Sequence, residues 1–142
     1  YDYSIMRSVF TPVNTPSLPQ TLKVTLSSQD WCGQSFMQLN FQNGKYRCRT
    51  YSYFENEGDI EAELPYAILE DELFNRIRMN PDGLPIGELK VLPSTAVLRL
   101  LHLPCTPQSA EAGLRDYNGG DFAGENLRAY TLKSSSMPSR PT

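Results

Sequence analysis

Hydrophobic and polar positions alternate most regularly around Asn43-Gly44, a dipeptide that a type I′ turn prefers because both of its central residues need a positive φ. Closing a hairpin at this turn creates three opposed pairs on one face: Phe41–Tyr46, Leu39–Cys48 and Met37–Thr50. The other face receives Gln38, Asn40, Gln42, Lys45, Arg47 and Arg49. Because one register separates apolar from polar side chains on both strands, the pattern predicts a hairpin over 35–54.

Five further stretches have the patterns of strands. They are residues 3–13, 22–26, 88–92, 95–103 and 127–132. The fourth is apolar on both faces, which is typical of a central strand. Residues 106–126 are rich in glycine, alanine and acidic side chains and are predicted to be a loop.

One helix is predicted from Pro65 to about Met79, because proline suits a first turn and four apolar residues recur at helical spacing. These residues are Tyr66, Leu69, Leu73 and Ile77. Acidic residues at 70–72 and arginines at 76 and 78 match the helix dipole. The sequence therefore predicts a mainly β (α+β) fold, in which one helix packs on an antiparallel sheet that forms part of a larger fold.

The 142 residues suit one domain of ordinary size. Residues 1–133 are predicted to form a β-rich domain, and residues 134–142 a disordered tail because they contain almost no core-forming side chains. The chain opens on Tyr1 without an initiator methionine, so we expect it to be a fragment of a longer chain.

Composition and motifs exclude several classes of protein. A net charge of −3 argues against a nucleic-acid-binding protein, and no apolar run approaches the roughly 18 residues of a membrane span. No phosphate loop, dinucleotide-binding glycine pattern, hydrolase elbow or zinc-protease motif is present. We therefore predict no catalytic, cofactor-binding or metal-binding residues and expect a non-enzymatic protein.

The single histidine and the three cysteines leave two alternatives open. His102 lies in an apolar run and is expected to be a core or edge residue with a satisfied hydrogen bond. His102 and Cys105 would form half of a zinc site, but Cys32 and Cys48 have the spacing of no known ribbon or finger. A hydrolase site would use Cys32 as nucleophile beside His102. We expect structural thiols instead, with Cys48 on the inner face of the hairpin.

Acidic residues alternate from Glu55 to Glu63, and a second oxygen-rich stretch covers residues 116–121. The first could bind calcium or a basic partner, but a solvated charged sheet edge is favoured. The second lacks the bidentate glutamate of a calcium loop.

Aromatic residues provide the candidate surface for an apolar ligand or a protein partner. Hairpin parity places Phe36, Tyr51 and Tyr53 opposite the face of Leu39. Because aromatic side chains then occupy both faces, we expect both faces to be partly covered, by the helix, a partner or an apolar ligand, and packing against the helix is favoured. The residues of this candidate surface are Trp31, Phe36, Tyr51, Tyr53 and Phe54.

Three stretches, 21–40, 51–55 and 73–85, resemble an uncharacterised family of envelope proteins, often lipoproteins, from Gram-negative (Bacteroidota-type) bacteria. The resemblance covers roughly residues 3–103. Members are often labelled "septum formation inhibitor Maf", but the Ser-x-Ser-x-Arg-Arg motif and α/β pattern of that nucleotide pyrophosphatase are absent here. The resemblance implies a longer chain, export to the periplasm or outer membrane, and tethering through a lipidated cysteine outside this sequence. It implies no catalytic residues.

Together these patterns favour an envelope-exposed, non-enzymatic β domain that binds an apolar ligand or an envelope protein partner. We expect no nucleic-acid partner and membrane contact only through the lipid anchor. The alternatives are an accessory subunit of an outer-membrane protein assembly and a hydrolase using Cys32 and His102.

Overall fold

The computed structural model describes residues 4–13, 21–117 and 127–134, and these form two β-sheets with short helices between their strands. The mainly β class with an antiparallel sheet is confirmed. Five strands follow one another in chain order in the first sheet, each antiparallel to its neighbour. They are β1 (Ser4–Phe10), β2 (Lys23–Gln29), β3 (Gln34–Gln42), β4 (Lys45–Tyr51) and β5 (Asp59–Pro65).

The predicted hairpin between β3 and β4 is confirmed in register and turn. Asn43 and Gly44 have φ angles of 51° and 78°, as a type I′ turn requires. The Cα partners include Phe41–Tyr46, Leu39–Cys48 and Met37–Thr50. Leu39 and Cys48 are fully buried, so the apolar face of this hairpin is the inner face of the sheet.

Among the described residues, the second sheet contains four strands, of which the first pair is parallel and the other pairs are antiparallel. They are β6 (Ile68–Leu69), β7 (Gly87–Leu92), β8 (Gln108–Asp116) and β9 (Arg128–Ser134). Helix α1 (Leu73–Met79) follows β6 after a 3₁₀ turn at Glu70–Glu72, and a second 3₁₀ turn covers Pro81–Gly83. Helix α2 (Thr95–Leu100) follows β7. None of these helices, within the described ranges, has the length and hydropathy of a membrane span.

The core lies between the inner face of the first sheet and the segments that surround α2. Val24, Leu26 and Leu39 from the sheet pack in one cluster with Leu92 and Leu98. The end of strand β7 and the helix α2 that follows it therefore lie against the inner face of the first sheet.

The predicted start of the helix at Pro65 is wrong. Pro65 is the last residue of β5, and Ile68–Leu69 extend to pair with Val91 and Leu92. Leu69 is buried in the core while its backbone hydrogen-bonds to β7. These long-range contacts outweigh the local preference for a helix that the spacing of the apolar residues indicates. The α-helix therefore begins only at Leu73.

The predicted central strand over 95–103 is also wrong, because α2 occupies its first part. The helix ends in a Schellman motif: the N–H of Leu103 donates to the carbonyl of Leu98, and the N–H of His102 donates to that of Arg99. His102 takes the left-handed position of this motif, with a φ of 53°. The apolar run therefore turns back on itself, where the pattern alone indicated an extended strand.

The predicted loop over 106–126 contains strand β8. Ala110 and Ala112 are its buried residues, and such small side chains weaken the hydrophobic alternation from which strands are recognised. The predicted strand at 127–132 is confirmed as β9. Residues 118–126, with most of the oxygen-rich stretch, and the tail beyond Ser134 lie outside the described residues.

Candidate functional site

The structure divides the predicted aromatic surface into two groups. Phe36 and Tyr51 are paired across β3 and β4 on the outer face, where their rings stack with centroids 6.4 Å apart. Trp31 is 83% exposed at the tip of the β2–β3 hairpin. Tyr53 and Phe54 follow the end of β4, and their rings stack with centroids 4.3 Å apart beside α2.

The β2–β3 turn holds Tyr53 through a carboxylate and a glycine. Asp30 accepts hydrogen bonds from the backbone N–H groups of Cys32 (2.9 Å) and Gly33 (3.1 Å), and from the Tyr53 hydroxyl (2.5 Å). The Tyr53 bond lowers the pKa of Asp30 and raises the pKa of Tyr53 to about 12. A Cβ atom on Gly33 would lie 2.7 Å from Cγ of Tyr53, so only glycine permits this approach.

Arg99 connects these rings to α2. Its side chain is nine-tenths buried, and its guanidinium carbon lies 4.8 Å from the ring centroid of Phe54 and 5.7 Å from that of Tyr53. Nη1 lies 3.5 Å from Nδ1 of His102, while Nε has no hydrogen-bond partner among the described residues. The faces of the two rings therefore give this buried cation favourable cation–π contacts.

His102 contacts both an aromatic ring and a carboxylate. Its ring meets that of Phe54 edge to face at 4.7 Å, and its Nδ1 hydrogen-bonds to Oε1 of Glu57. Burial raises the pKa of Glu57, but hydrogen bonds from Ser52 and His102 outweigh burial and the pKa is lowered overall. The prediction of a histidine with a satisfied hydrogen bond is confirmed, although His102 lies at the surface.

A cavity of about 380 Å³ lies between the inner face of β3–β5 and the segment that runs from α2 into the following loop. We name it the β5–α2 cavity. Its apolar lining is formed by Met37, Ile60, Ala62, Leu98, Leu103 and Pro104. Glu57, Arg99 and His102 belong to its polar side, together with Thr50, Asn56 and Thr106. Cys48 and Cys105 complete the lining.

The three thiols are free and differ in exposure. Cys32 is exposed, Cys48 is fully buried as predicted, and Cys105 is partly buried. The sulfur atoms of Cys48 and Cys105 lie 2.9 Å apart. This pairing was missed because Cys105 belongs to a segment whose path depends on the turn at His102.

These contacts assemble neither of the two alternative sites considered from the sequence, the zinc site and the hydrolase site. Cys32 bonds to Asp30 through its backbone, whereas His102 pairs with Glu57. In the part of the chain that the structure describes, no group of three or more histidine, cysteine or acidic residues could hold a metal ion.

The acidic row of β5 lies on the outer face of an edge strand. Glu61 accepts hydrogen bonds from Arg47 and Arg49, and Glu63 accepts one from Lys45 at 3.2 Å. This part of the row is the solvated charged edge that was predicted. Glu57 precedes the strand and belongs to the cavity.

Comparisons with known proteins give no relative. No family model, curated protein or solved structure matches this chain. The resemblance to envelope proteins stays a prediction, and the function is inferred from the geometry of the cavity.

Proposed function

We propose that this chain is a non-enzymatic binding protein that holds a small, neutral apolar molecule in the β5–α2 cavity. The observation that carries the proposal is the apolar-lined volume of about 380 Å³. It lies at the lower end of the roughly 300–1,000 Å³ that small-molecule sites occupy. Ile60, which lines the cavity and is 50% exposed, marks where a ligand would enter.

The charges at the cavity favour a neutral ligand. Glu57 already pairs with His102, and Arg99 already lies against the face of Phe54. A charged ligand would compete with these contacts and lose its own hydration, whereas an apolar ligand gains about 25 cal/mol for each Å² removed from water. The polar residues then act as a rim that orients the ligand.

The location of the protein is proposed from the sequence resemblance. A domain of the periplasm or outer membrane, anchored by a lipid on a segment outside this sequence, would meet acyl chains and other neutral lipid fragments. These molecules have the apolar character that the cavity lining favours. A neutral single-chain lipid fragment is therefore the ligand class we propose.

A second candidate function is contact with an envelope protein partner, which the exposure of Trp31 favours. Trp31 is 83% exposed and Tyr51 46% exposed, both outside the cavity lining. Exposed aromatic side chains are enriched in protein interfaces. An accessory subunit would use this outer surface and would bind its partner with the cavity filled or empty.

Binding of the neutral fluorescent probe N-phenyl-1-naphthylamine, displaced by decanol, tests the cavity. Ala62→Phe places a ring in the cavity, whereas Asp59→Phe places the same ring at an exposed position on the outer face of the same strand. We expect Ala62→Phe to weaken binding about tenfold or more, equivalent to about 1.4 kcal/mol, and Asp59→Phe to bind as the unmodified chain does.

Two results would contradict the proposal. One is a folded Ala62→Phe variant, verified by its circular dichroism and melting curve, that binds the probe with unchanged affinity. The other is an equal loss of affinity in both variants.

A further inference from the structure

Two thiols from distant parts of the chain meet in the wall of the β5–α2 cavity. Cys48 lies on the inner face of β4, and Cys105 lies in the loop between α2 and β8. Their sulfur atoms are 2.9 Å apart, and the Thr50 hydroxyl lies 3.8 Å from the sulfur of Cys48. Only a small movement separates this contact from a covalent bond, which has a length of about 2.05 Å.

We propose that Cys48 and Cys105 form a peroxide-sensitive pair that closes to a disulfide across the wall of the cavity. This inference goes beyond the proposed function, because it holds whether or not a ligand binds. Of the two residues that the disulfide would join, Cys48 belongs to the first sheet and Cys105 to the α2–β8 loop. The bond would therefore join the two walls that define the cavity.

The surroundings of the two thiols assign them different roles. The hydrogen bond with Cys105 holds the pKa of Cys48 below its ordinary value, with burial acting against it and Thr50 assisting. The same contact and burial raise the pKa of Cys105. On these directions we assign Cys48 as the thiolate that attacks and Cys105 as the thiol that resolves the intermediate, and the 2.9 Å contact allows the S–S bond to form in either order.

The oxidant is hydrogen peroxide or another small peroxide. The Cys48 thiolate attacks one peroxide oxygen, the O–O bond breaks, and the hydroxide released takes up a proton to become water. Cys48 is then a sulfenic acid. The sulfur of Cys105 attacks that of Cys48, the S–S bond forms, and the second oxygen leaves as water with the proton of Cys105. Two electrons pass from the two sulfur atoms to the peroxide.

The burial of the pair selects for a small oxidant. Cys48 has no surface exposed to solvent, so bulky thiol reagents are excluded from it in the folded protein. The cavity, which both sulfur-bearing residues line, gives a peroxide its path. Cys32 is exposed on the β2–β3 turn and lies outside the cavity lining.

The test uses a Cys32→Ser chain, reduced and then treated with hydrogen peroxide. Remaining thiols are alkylated after denaturation and counted by mass spectrometry. We expect both thiols to be lost together, with a mass decrease of two hydrogen atoms and a linked peptide pair containing Cys48 and Cys105. Dithiothreitol should restore both thiols, and the chain should stay monomeric.

A second variant separates the two steps. In Cys105→Ser, oxidation should stop at the sulfenic acid of Cys48, which dimedone traps as a stable adduct when it is present as the oxidised chain is denatured. The proposal is overturned if the folded Cys32→Ser chain keeps both thiols at a peroxide concentration that oxidises Cys32 in the unmodified chain. Linkage between two chains in place of within one would overturn it equally, and neither result depends on the folding of Cys105→Ser.

Discussion

The carboxylate of Asp71 accepts hydrogen bonds from both the backbone N–H and the hydroxyl of Thr95, at 3.0 and 2.7 Å. The Ser94 hydroxyl also donates to it at 2.7 Å, and Arg7 of β1 donates at 2.5 Å. One buried carboxylate thus fixes the start of α2 to the edge of the first sheet. Because α2 carries Arg99 and leads into His102, this contact also positions one wall of the cavity.

Removing this carboxylate should destabilise the fold strongly. Asp71→Ala leaves the buried N–H and hydroxyl of Thr95 without an acceptor, so we expect a loss of about 3 kcal/mol in the free energy of unfolding. The control is Asp82→Ala, because Asp82 is 79% exposed and pairs with Arg128 at the surface, where loss costs less than about 1 kcal/mol. Urea unfolding measures both, and equal losses would contradict the role given to Asp71.

The β3–β4 register gives a second prediction. Leu39→Asp places an unpaired carboxylate in the core, which we expect to cost several kcal/mol or to prevent folding. Asn40→Asp, one residue along, lies on the outer face between Lys23 and Arg47 and should change stability by less than about 0.5 kcal/mol. Similar melting temperatures for the two variants would show that the register is wrong.

The sequence predicted the hairpin because local turn chemistry and alternation agree there. Asn43-Gly44 selects the turn, and the apolar face then fixes the pairing. Prediction failed at Leu69 and over 95–103, where long-range partners decide the backbone. Strand pairing with Val91 and Leu92 holds the backbone of Leu69 extended. Asp71 accepts a hydrogen bond from the N–H of Thr95, the first residue of α2. No local pattern contains those partners.

The candidate site was only partly predictable for the same reason. Tyr53 and Phe54 were among the predicted surface residues, and they do lie beside a cavity-lining residue, Arg99. The cavity itself depends on the reversal of the chain at His102, a non-glycine residue in the left-handed region. The contact of Cys48 with Cys105 depends on that reversal too. The one local signal for this reversal was the short helix Thr95–Leu100. Its apolar residues match the pattern of a buried strand equally well, so the sequence did not identify it as a helix.

The backbone of His102 gives a third prediction. A left-handed conformation costs an L-residue about 1 kcal/mol more than glycine, so His102→Gly should be more stable than His102→Ala by about that amount. Both variants lose the contact with Glu57, which makes the comparison a matched one. Chemical unfolding of the two variants measures the difference. Equal stabilities would contradict the left-handed assignment.

The bond between Tyr53 and Asp30 gives a prediction about titration. The pKa of Tyr53 is raised to about 12, chiefly by its hydrogen bond to Asp30. Asp30→Asn removes the charge and should return the pKa of Tyr53 towards its ordinary value of about 10. NMR titration of chains with ¹³Cζ-labelled tyrosine measures the shift, with Tyr53→Phe assigning the signal. An unchanged pKa in Asp30→Asn would contradict the assigned cause.

The sign of the corresponding stability change follows from these directions. Because the pKa of Tyr53 is raised on folding, its contribution is complete below about pH 10 and is lost as the pH rises towards about 12. The pKa of Asp30 is lowered, so its contribution is present above the ordinary aspartate pKa and is lost as the pH falls through the lowered value. Tyr53→Phe should weaken the pH dependence of stability at both ends. Unfolding curves with the same pH dependence as the unmodified chain would contradict this.

The most direct test of ligand binding in the β5–α2 cavity is a titration of the methyl-labelled chain with decanol, followed by ¹³C NMR. We expect saturable shifts at the methyl groups of Ile60, Leu98 and Leu103, which line the cavity. The methyl signals of Ile5 and Ile86, exposed residues outside the cavity, should stay unchanged as controls. Shifts that fail to saturate, or that are as large at Ile5 and Ile86 as at the lining residues, would contradict a bound apolar ligand in this cavity.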